Sequence, residues 1–406
     1  MIRYNLLLYL LSPFIILKLV IYSIKNRADK SFLFNRLLGK TINSQKSIWI
    51  HAASVGETKI ALEVLKRLRK SGHDDVLITT STPSSKQIID KVDWCSINHE
   101  YLPFDFYFTI KKFVKNISPK LLIIIETEIW PNLYNECKKN GSKVILINAR
   151  LNEKNSISYR FIKNIYIKSL SDVDGIYCKS ENDCQIFKNY VNENKVKNLG
   201  NIKYSLLHQD TNSSRIIDRK YVLLASSHHR EEIIIIKEWL KLKSNKYLLV
   251  VAPRHPERLG DILSDMPLSG INIAIRSKDE KIRNSTQVYI SDTIGEMSSL
   301  IKYSEFTIFG GSFVDVGGHA FIEGALHGKA IIVGPYMYNF IEETEEFLKS
   351  NAIIMCKKPE MLKNIFEKLF RSKSKREVFE VNARKLAMSK TTIIDNYMDC
   401  ISKHIN

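Results

Sequence analysis

The 406-residue chain has no C-x-x-C pair, and its six cysteines (Cys95, Cys137, Cys178, Cys184, Cys356 and Cys400) are scattered with no cysteine–histidine cluster at metal-ligand spacing. That pattern excludes a zinc ribbon or finger, and it points to free thiols in a reducing compartment rather than a disulfide framework. No fixed-period repeat or low-complexity tract is present, and 44% apolar residues indicate a folded globular chain. Acids are in short supply. Only 43 Asp plus Glu face 61 Lys plus Arg, leaving a formal charge of +18. Such an excess favours nucleic acid, anionic lipid or phosphorylated substrates, or simply solvates the surface. No platform of interleaved aromatic and basic residues accompanies it, so nucleic acid is not the expected partner.

The common nucleotide and metal signatures are missing too. The run GALHGKA misses P-loop spacing by one residue and ends on Ala330, where Ser or Thr would hold a metal. The paired glycines Gly310-Gly311 and Gly317-Gly318 do not form the dinucleotide G-x-G-x-x-G. Asp172-Val173-Asp174 resembles a metal-binding D-x-D, but it precedes a predicted strand and is read as a capping or surface pair. Neither a metal nor a cofactor is expected.

The N-terminus carries a long apolar run, residues 5–22 (NLLLYLLSPFIILKLVIY), interrupted by Pro13 and Lys18. It is shorter than a clean span of about 20 residues, so spanning, lying in the interface and packing as a buried helix are all open. No small-x-small cleavage site follows, which argues against a signal peptide. Arg3 precedes the run while Lys25, Arg27, Lys30, Arg36 and Lys40 follow it. That asymmetry places the body on the cytoplasmic side, with the basic residues facing anionic lipid. Residues 1–40 are therefore expected to form a membrane anchor with a basic juxtamembrane segment.

Beyond it, short β-rich runs alternate with helical patterns: SIWIHA, DVLITTS, LLIIIE, KVILINA and GIYCKS, then YVLLASS, KYLLVVAP, INIAIRS, QVYIS, EFTIFGG, AIIVGP and AIIMCK. This is the pattern of βαβ units, and it predicts two doubly wound α/β domains over 41–204 and 221–406, joined by a linker at 205–220. The last helix is expected to pack back on the first domain. Ligands of such sheets sit beyond the carboxyl ends of the strands, so the loops there hold the candidates.

Four loops stand out. In IWIHAASVGE, Glu57 falls at the start of a helical pattern, where the macrodipole alone would account for an acid. The same dipole lowers basicity, which conflicts with a general-base role; a substrate and its negative charges arriving over Glu57 are expected to raise its carboxyl and partly desolvate it. LLIIIE is followed by a cluster in which Glu126 and Glu128 flank Thr127, with helix capping as the plain alternative. Arg254 and His255 follow LLVVAP and suit a phosphate or carboxylate. Finally, Gly317 and Gly318 allow close backbone approach, His319 is expected to open a helix, and Glu323 one turn later would face ribose hydroxyls.

The motifs IWIHAASVGE, ETEIWPN, INARLNEKNSISYR, GNIKY, APRHPER, DTIGEM and GGSFVDVGGHAFIEGALHGKAIIVGPYMYNF, in this order, resemble the 3-deoxy-D-manno-octulosonic acid (Kdo) transferases of lipopolysaccharide biosynthesis. The likeness covers nearly the whole chain. It implies a GT-B glycosyltransferase fold with two Rossmann-like domains facing a cleft. The activity it implies is metal-independent, inverting transfer of Kdo from CMP-Kdo to a lipid A precursor (lipid IVA) at the inner membrane. By the resemblance, Glu57 is the general base, with Glu126, Ser54 and Gly56 on the acceptor side. Arg254, His255, Gly295, Glu296, Met297, Gly317, Gly318, His319, Glu323 and Asn339 bind the donor. The chain departs from the family in places: Ala320, Phe321 and Gly324 replace an Asn-Pro pair and a Pro, Tyr336 replaces a His, and Arg230 replaces a glycine in SSHHREE. Another GT-B transferase or a nucleotide-sugar epimerase is the alternative within the fold, and a non-catalytic basic binding protein is the alternative outside it.

Overall fold

The structure is a computed structural model that describes residues 1–26, 28–39, 47–151, 160–207, 214–242, 246–266 and 270–405. Arg27 and Lys40 of the basic cluster, most of INARLNEKNSISYR and the middle of the expected linker lie outside the described residues. The chain forms two compact units, Met1–Leu206 with Thr391–Asn406, and Leu207–Lys390.

The first unit is built on a parallel sheet of seven strands among the described residues: β1 (Ile48–Ala52), β2 (Val76–Thr80), β3 (Asn98–Tyr101), β4 (Leu121–Ile125), β5 (Lys143–Ala149), β6 (Gly175–Cys178) and β7 (Val196–Asn198). Their spatial order is β3-β2-β1-β4-β5-β6-β7. The chain thus winds outward from β1 to β3 and then restarts at β4 on the other side of β1. Ile48 pairs with both Val76 and Leu121, so β1 is central. Helices cover both faces, which is why β4 reads LLIII with every residue buried. Each such side chain contributes about 1.5–3 kcal/mol relative to exposure. Strands β3 (NHEY) and β7 (VKN) were not anticipated from sequence; they are the two edges, short and polar.

The second unit repeats the plan with β8 (Tyr221–Ser227), β9 (Leu248–Pro253), β10 (Ile273–Ile275), β11 (Val288–Ile290), β12 (Thr307–Phe309), β13 (Ile331–Val333) and β14 (Ile354–Met355). The order is β10-β11-β9-β8-β12-β13-β14, again all parallel, and it reverses between β8 and β12.

The N-terminal run forms two helices, Ile2–Leu10 and Ser12–Lys25, bent by 55° beside Pro13. Among the described residues no single helix is long and apolar enough to cross a membrane, although this bent pair meets that test by length and composition. The first helix is tied to the unit below it: the Tyr4 hydroxyl donates to Asp105 at 2.9 Å, and the Asn132 amide donates to Asn5 at 2.6 Å. Arg36 is not the free juxtamembrane charge expected. It is buried, donates to the Leu102 carbonyl and lies 4.4 Å from the Phe104 ring centroid.

Ser205 and Leu206, expected in the linker, belong instead to the short 3-10 turn Ile202–Leu206 of the first unit. The C-terminal helix Ile393–Ile405 also belongs there; the Tyr397 hydroxyl donates to the Gly200 carbonyl at 2.8 Å.

Candidate active site

In the first unit the loops after β1 and β4 meet at the point where strand order reverses, and each carries an acid. Glu57 is the third residue of the helix Val55–Lys70, whose N-cap is Ser54. Ser54-Val55-Gly56-Glu57 has the S-x-x-E spacing of a capping box, a signal in the sequence that the expectation did not use. The Ser54 hydroxyl donates to Glu57 Oε1 at 2.8 Å, and the Ala53 amide donates to Oε2 at 2.7 Å. Burial nevertheless dominates and raises the Glu57 carboxyl above the usual range, against those two hydrogen bonds. The conflict between dipole and basicity is therefore resolved in the free protein, by desolvation. Gly56 sits in the first turn with Lys203 Nζ as its nearest neighbour, 3.9 Å from where a Cβ would stand.

Glu126 follows β4 directly with a φ of 60°, a conformation costing about 1–3 kcal/mol for a side-chain-bearing residue. Two cations hold it there: Lys203 Nζ at 2.6 Å and Arg150 Nε at 3.0 Å. Glu128 caps no helix, because the next one begins at Pro131. It is pushed up to about 7 by burial and then by the nearby Glu57 charge, with Trp130 and Arg36 opposing. Three carboxylates, Lys203, Arg150 and Arg36 thus share one neighbourhood at the carboxyl ends of β1, β4 and β5. Of these, sequence reasoning assigned Glu57 and Glu126; Lys203 and Arg150 lay inside the GNIKY and INAR motifs without a role. His51 is the fourth residue of β1, wholly buried, with Nδ1 at 2.9 Å from Thr79 Oγ1. Desolvation holds it down to about 3, so it is a neutral part of the core.

In the second unit the reversal lies between β8 and β12, and the loops after them are clamped by Glu231. Its carboxylate accepts from the amides of His228, Gly311, Ser312 and Phe313 at 2.7–3.1 Å. Those amides are therefore committed to Glu231 and are not free for a phosphate. Arg254 and His255 follow β9 and are exposed; Arg258 pairs with Glu232 at 3.3 Å. His319 does not open a helix. The helix starts at Ile322, because Gly317 and Gly318 take φ of 96° and 79° and break any helical run before it. His319 instead lies in the loop beside His228 of the β8 loop, their Nε2 atoms 2.7 Å apart. His228 was missed as a site residue.

Glu323, in the short helix Ile322–Leu326, interacts with Ser298, and burial raises its carboxyl. That contact brings it to the segment Gly295-Glu296-Met297. Gly295 is exposed with φ of 93°, and Met297 begins the helix Met297–Tyr303. Glu296 is already engaged: Arg276 Nη2 lies 2.9 Å away and holds its carboxyl below the usual range. Asn339 packs on the glycine loop, its amide nitrogen donating to the Val316 carbonyl at 3.0 Å; a Cβ at Gly317 would collide with its side chain. The donor residues thus form one neighbourhood of Arg254, His255, His228 and His319 and a second of Glu323 with the 295–298 segment.

The family described as 3-deoxy-D-manno-octulosonic-acid transferase (kdotransferase) matches residues 27–206. The 3-deoxy-D-manno-octulosonic acid transferase of Rickettsia bellii is 31% identical over 392 residues, covering 93% of this chain and 90% of that protein. That of Haemophilus influenzae is 28% identical over 376 residues, covering 89% and 87%. Among solved structures, a glycosyltransferase from Rickettsia africae superposes with a TM-score of 0.61 at 15% identity, covering 89% of this chain and 99% of that one. A UDP-N-acetylglucosamine 2-epimerase does so with 0.58 at 13% identity, covering 89% and 97%. These likenesses establish the two-domain GT-B fold. Sequence identity over almost the full length goes further: the chain belongs to the 3-deoxy-D-manno-octulosonic acid transferase family.

Proposed function

We propose that this protein is an inverting glycosyltransferase that moves Kdo from CMP-Kdo to a lipid A precursor, lipid IVA, with Glu57 as the general base. The observation that carries the reading is the buried, basicity-raised Glu57 at the strand-order reversal of a chain alignable with Kdo transferases over 93% of its length. In the reaction an acceptor glucosamine hydroxyl attacks the anomeric carbon of Kdo, its proton passes to the Glu57 carboxylate, and the bond from that carbon to the phosphate oxygen breaks. CMP departs carrying the electron pair, and Arg254 with the neighbouring histidines offsets the charge that develops. Ser54 and the Ala53 amide fix the rotamer of the base, while Lys203 and Arg150 hold Glu126 beside it.

The test is direct incubation with CMP-Kdo and a tetraacylated lipid A precursor, with products read by mass. A mass increase of one or more Kdo units is expected, and an unchanged acceptor mass overturns the reading. CMP should raise the melting temperature where UDP and GDP do not; stabilisation by UDP instead favours another GT-B transferase or an epimerase.

The same reading places the chain at the cytoplasmic face of the inner membrane. Support comes from Ile2, Leu10, Phe14 and Ile24 of the N-terminal helices, each more than 70% exposed. The full chain should float with anionic lipid vesicles, and the pair Leu10→Glu and Phe14→Glu should remain in the soluble fraction.

A further inference from the structure

His228 and His319 meet edge to edge and nearly coplanar, their ring planes 12° apart and centroids separated by 4.9 Å. An Nε2–Nε2 separation of 2.7 Å is a hydrogen bond, which requires one N–H and one bare nitrogen. The two facing atoms therefore carry a single proton between them. The backbone enforces this approach. A Cβ at Gly311 would fall 3.2 Å from the His319 ring and 3.3 Å from that of His228, and the Glu231 carboxylate ties the His228 and Gly311 amides together.

The charged groups around the pair come from two elements. The segment after β9 brings Arg254, Arg258 and His255, whose ring centroid is 6.2 Å from that of His228. The helix Glu231–Leu240 brings Glu231, committed to four backbone amides, and Glu232, held by Ser227 and Arg258. The segment after β9 also carries Glu257, 3.3 Å from His255 Nδ1, so with Glu231, Glu232 and Glu257 each engaged, Arg254 leaves the charge beside the pair cationic. Burial first, and the electrostatic effect of neighbouring groups second, hold both imidazoles below their usual range, His319 at about 4; those neighbours are His255, Arg258 and Arg254 for His228, and His228, Arg254 and His255 for His319. Both rings are neutral at neutral pH in the free protein, and an incoming anion reverses the second of those two causes.

We propose that His228 and His319 form a proton-gated grip for the phosphoryl group of the nucleotide donor. On binding, the pair takes up one proton from solvent, the N–H···N bond between them opens, and both Nε2–H groups donate to phosphoryl oxygen. No bond in the ligand is made or broken in this step. The inference rests on the reading of the second unit as the CMP-Kdo site, and it adds His228 to the binding residues. It also ties product departure to protonation, because the terminal phosphate of CMP carries more negative charge than the phosphodiester of the donor and holds the proton more firmly.

The experiment is calorimetric titration of the full chain with the methyl ester of cytidine 5′-monophosphate, a phosphodiester with no phosphate group titrating near neutrality. Buffers of different ionisation heat report proton uptake. Between about pH 6 and 7, uptake approaching one proton per ligand is expected, with affinity falling up to about tenfold per pH unit above that range. His228→Gln should bind the ester more weakly, with most of the uptake gone and an affinity nearly independent of pH. Binding without proton uptake by the unaltered protein, or unchanged uptake in His228→Gln, overturns the grip while leaving the donor site standing. Failure of both CMP and its ester to bind overturns the donor reading and the grip with it.

Discussion

Ser54 and Glu57 hold each other from both directions: the Ser54 hydroxyl donates to the Glu57 carboxylate at 2.8 Å, while its oxygen accepts the Glu57 amide at 3.3 Å. One side chain thus caps a helix and aims the proposed base. Ser54→Ala should cost about 1 kcal/mol of stability through the lost cap. It also removes a hydrogen bond to the charged form of Glu57, so the carboxyl rises further. Because the base must be deprotonated, the acidic limb of the kcat/KM profile should move to higher pH. Thermal melts and a pH–rate profile check both effects together.

Glu57→Gln keeps the shape of that contact and removes the proton acceptor. Transfer should fall by about 10²- to 10⁴-fold, the usual range for a general base, while CMP still stabilises the protein. Near-normal turnover in a transfer assay would remove Glu57 from the role.

Glu128 gives a stability prediction with a definite sign. Its folded value of about 7 lies above the ~4.3 of an unfolded Glu, so the folded state keeps its proton longer. The native state is therefore favoured below about pH 4, and that advantage drains away as pH rises through 7. Glu128→Gln holds the neutral form at every pH. Its melting temperature should match the parent near pH 4 and exceed it by pH 8, by an amount equivalent to about 1–2 kcal/mol after allowing for partial exposure. Equal stability of the two at both pH values would contradict this account.

Lys203 is the residue whose loss should expose the cost of burying Glu126. Lys203→Met leaves that carboxylate, only 6% exposed, with Arg150 as its remaining ion-pair partner. A loss of about 1 kcal/mol is expected, since Lys203 itself is partly solvated, together with slower transfer and unchanged CMP affinity. Wild-type transfer rates in Lys203→Met would show that Glu126 needs no such support.

Arg230 occupies a left-handed position, φ 69°, at the start of the helix Glu231–Leu240. The departure from a family glycine is thus a source of strain. Arg230→Gly should relieve it and, after the entropy that glycine adds to the unfolded chain, raise stability by up to about 1 kcal/mol in chemical denaturation.

These residues also mark how far the sequence could be read. The central strands were plain because burial on both faces forces runs such as LLIII, with no competing pattern. The edge strands NHEY and VKN escaped notice because an edge needs little apolar surface, and their polarity resembles loop. Glu57 and Glu126 were legible since each ends or follows a strong strand. Lys203, Arg150 and His228 were not singled out, because their roles depend on partners 77, 24 and 91 residues away in the chain. Arg36 misled for a simple reason: among lysines after an apolar run, a buried arginine looks the same as a solvated one. His319 was placed on a helix that starts only at Ile322, because two consecutive left-handed glycines delay it.

The C-terminal helix Ile393–Ile405 completes the first unit although the whole second unit is encoded before it. During synthesis the N-terminal sheet must therefore wait. When β7 has left the ribosome, the carbonyl of Gly200 and the hydroxyl of Ser205 still lack the partners supplied by Tyr397 and the Ile394 amide. A nascent chain grows at about 5–20 residues per second, so the gap of nearly 190 residues corresponds to roughly 10–40 s. Through that interval the second unit can fold as a complete sheet while the first remains unfinished, which makes the earliest-made half of this enzyme the last to close.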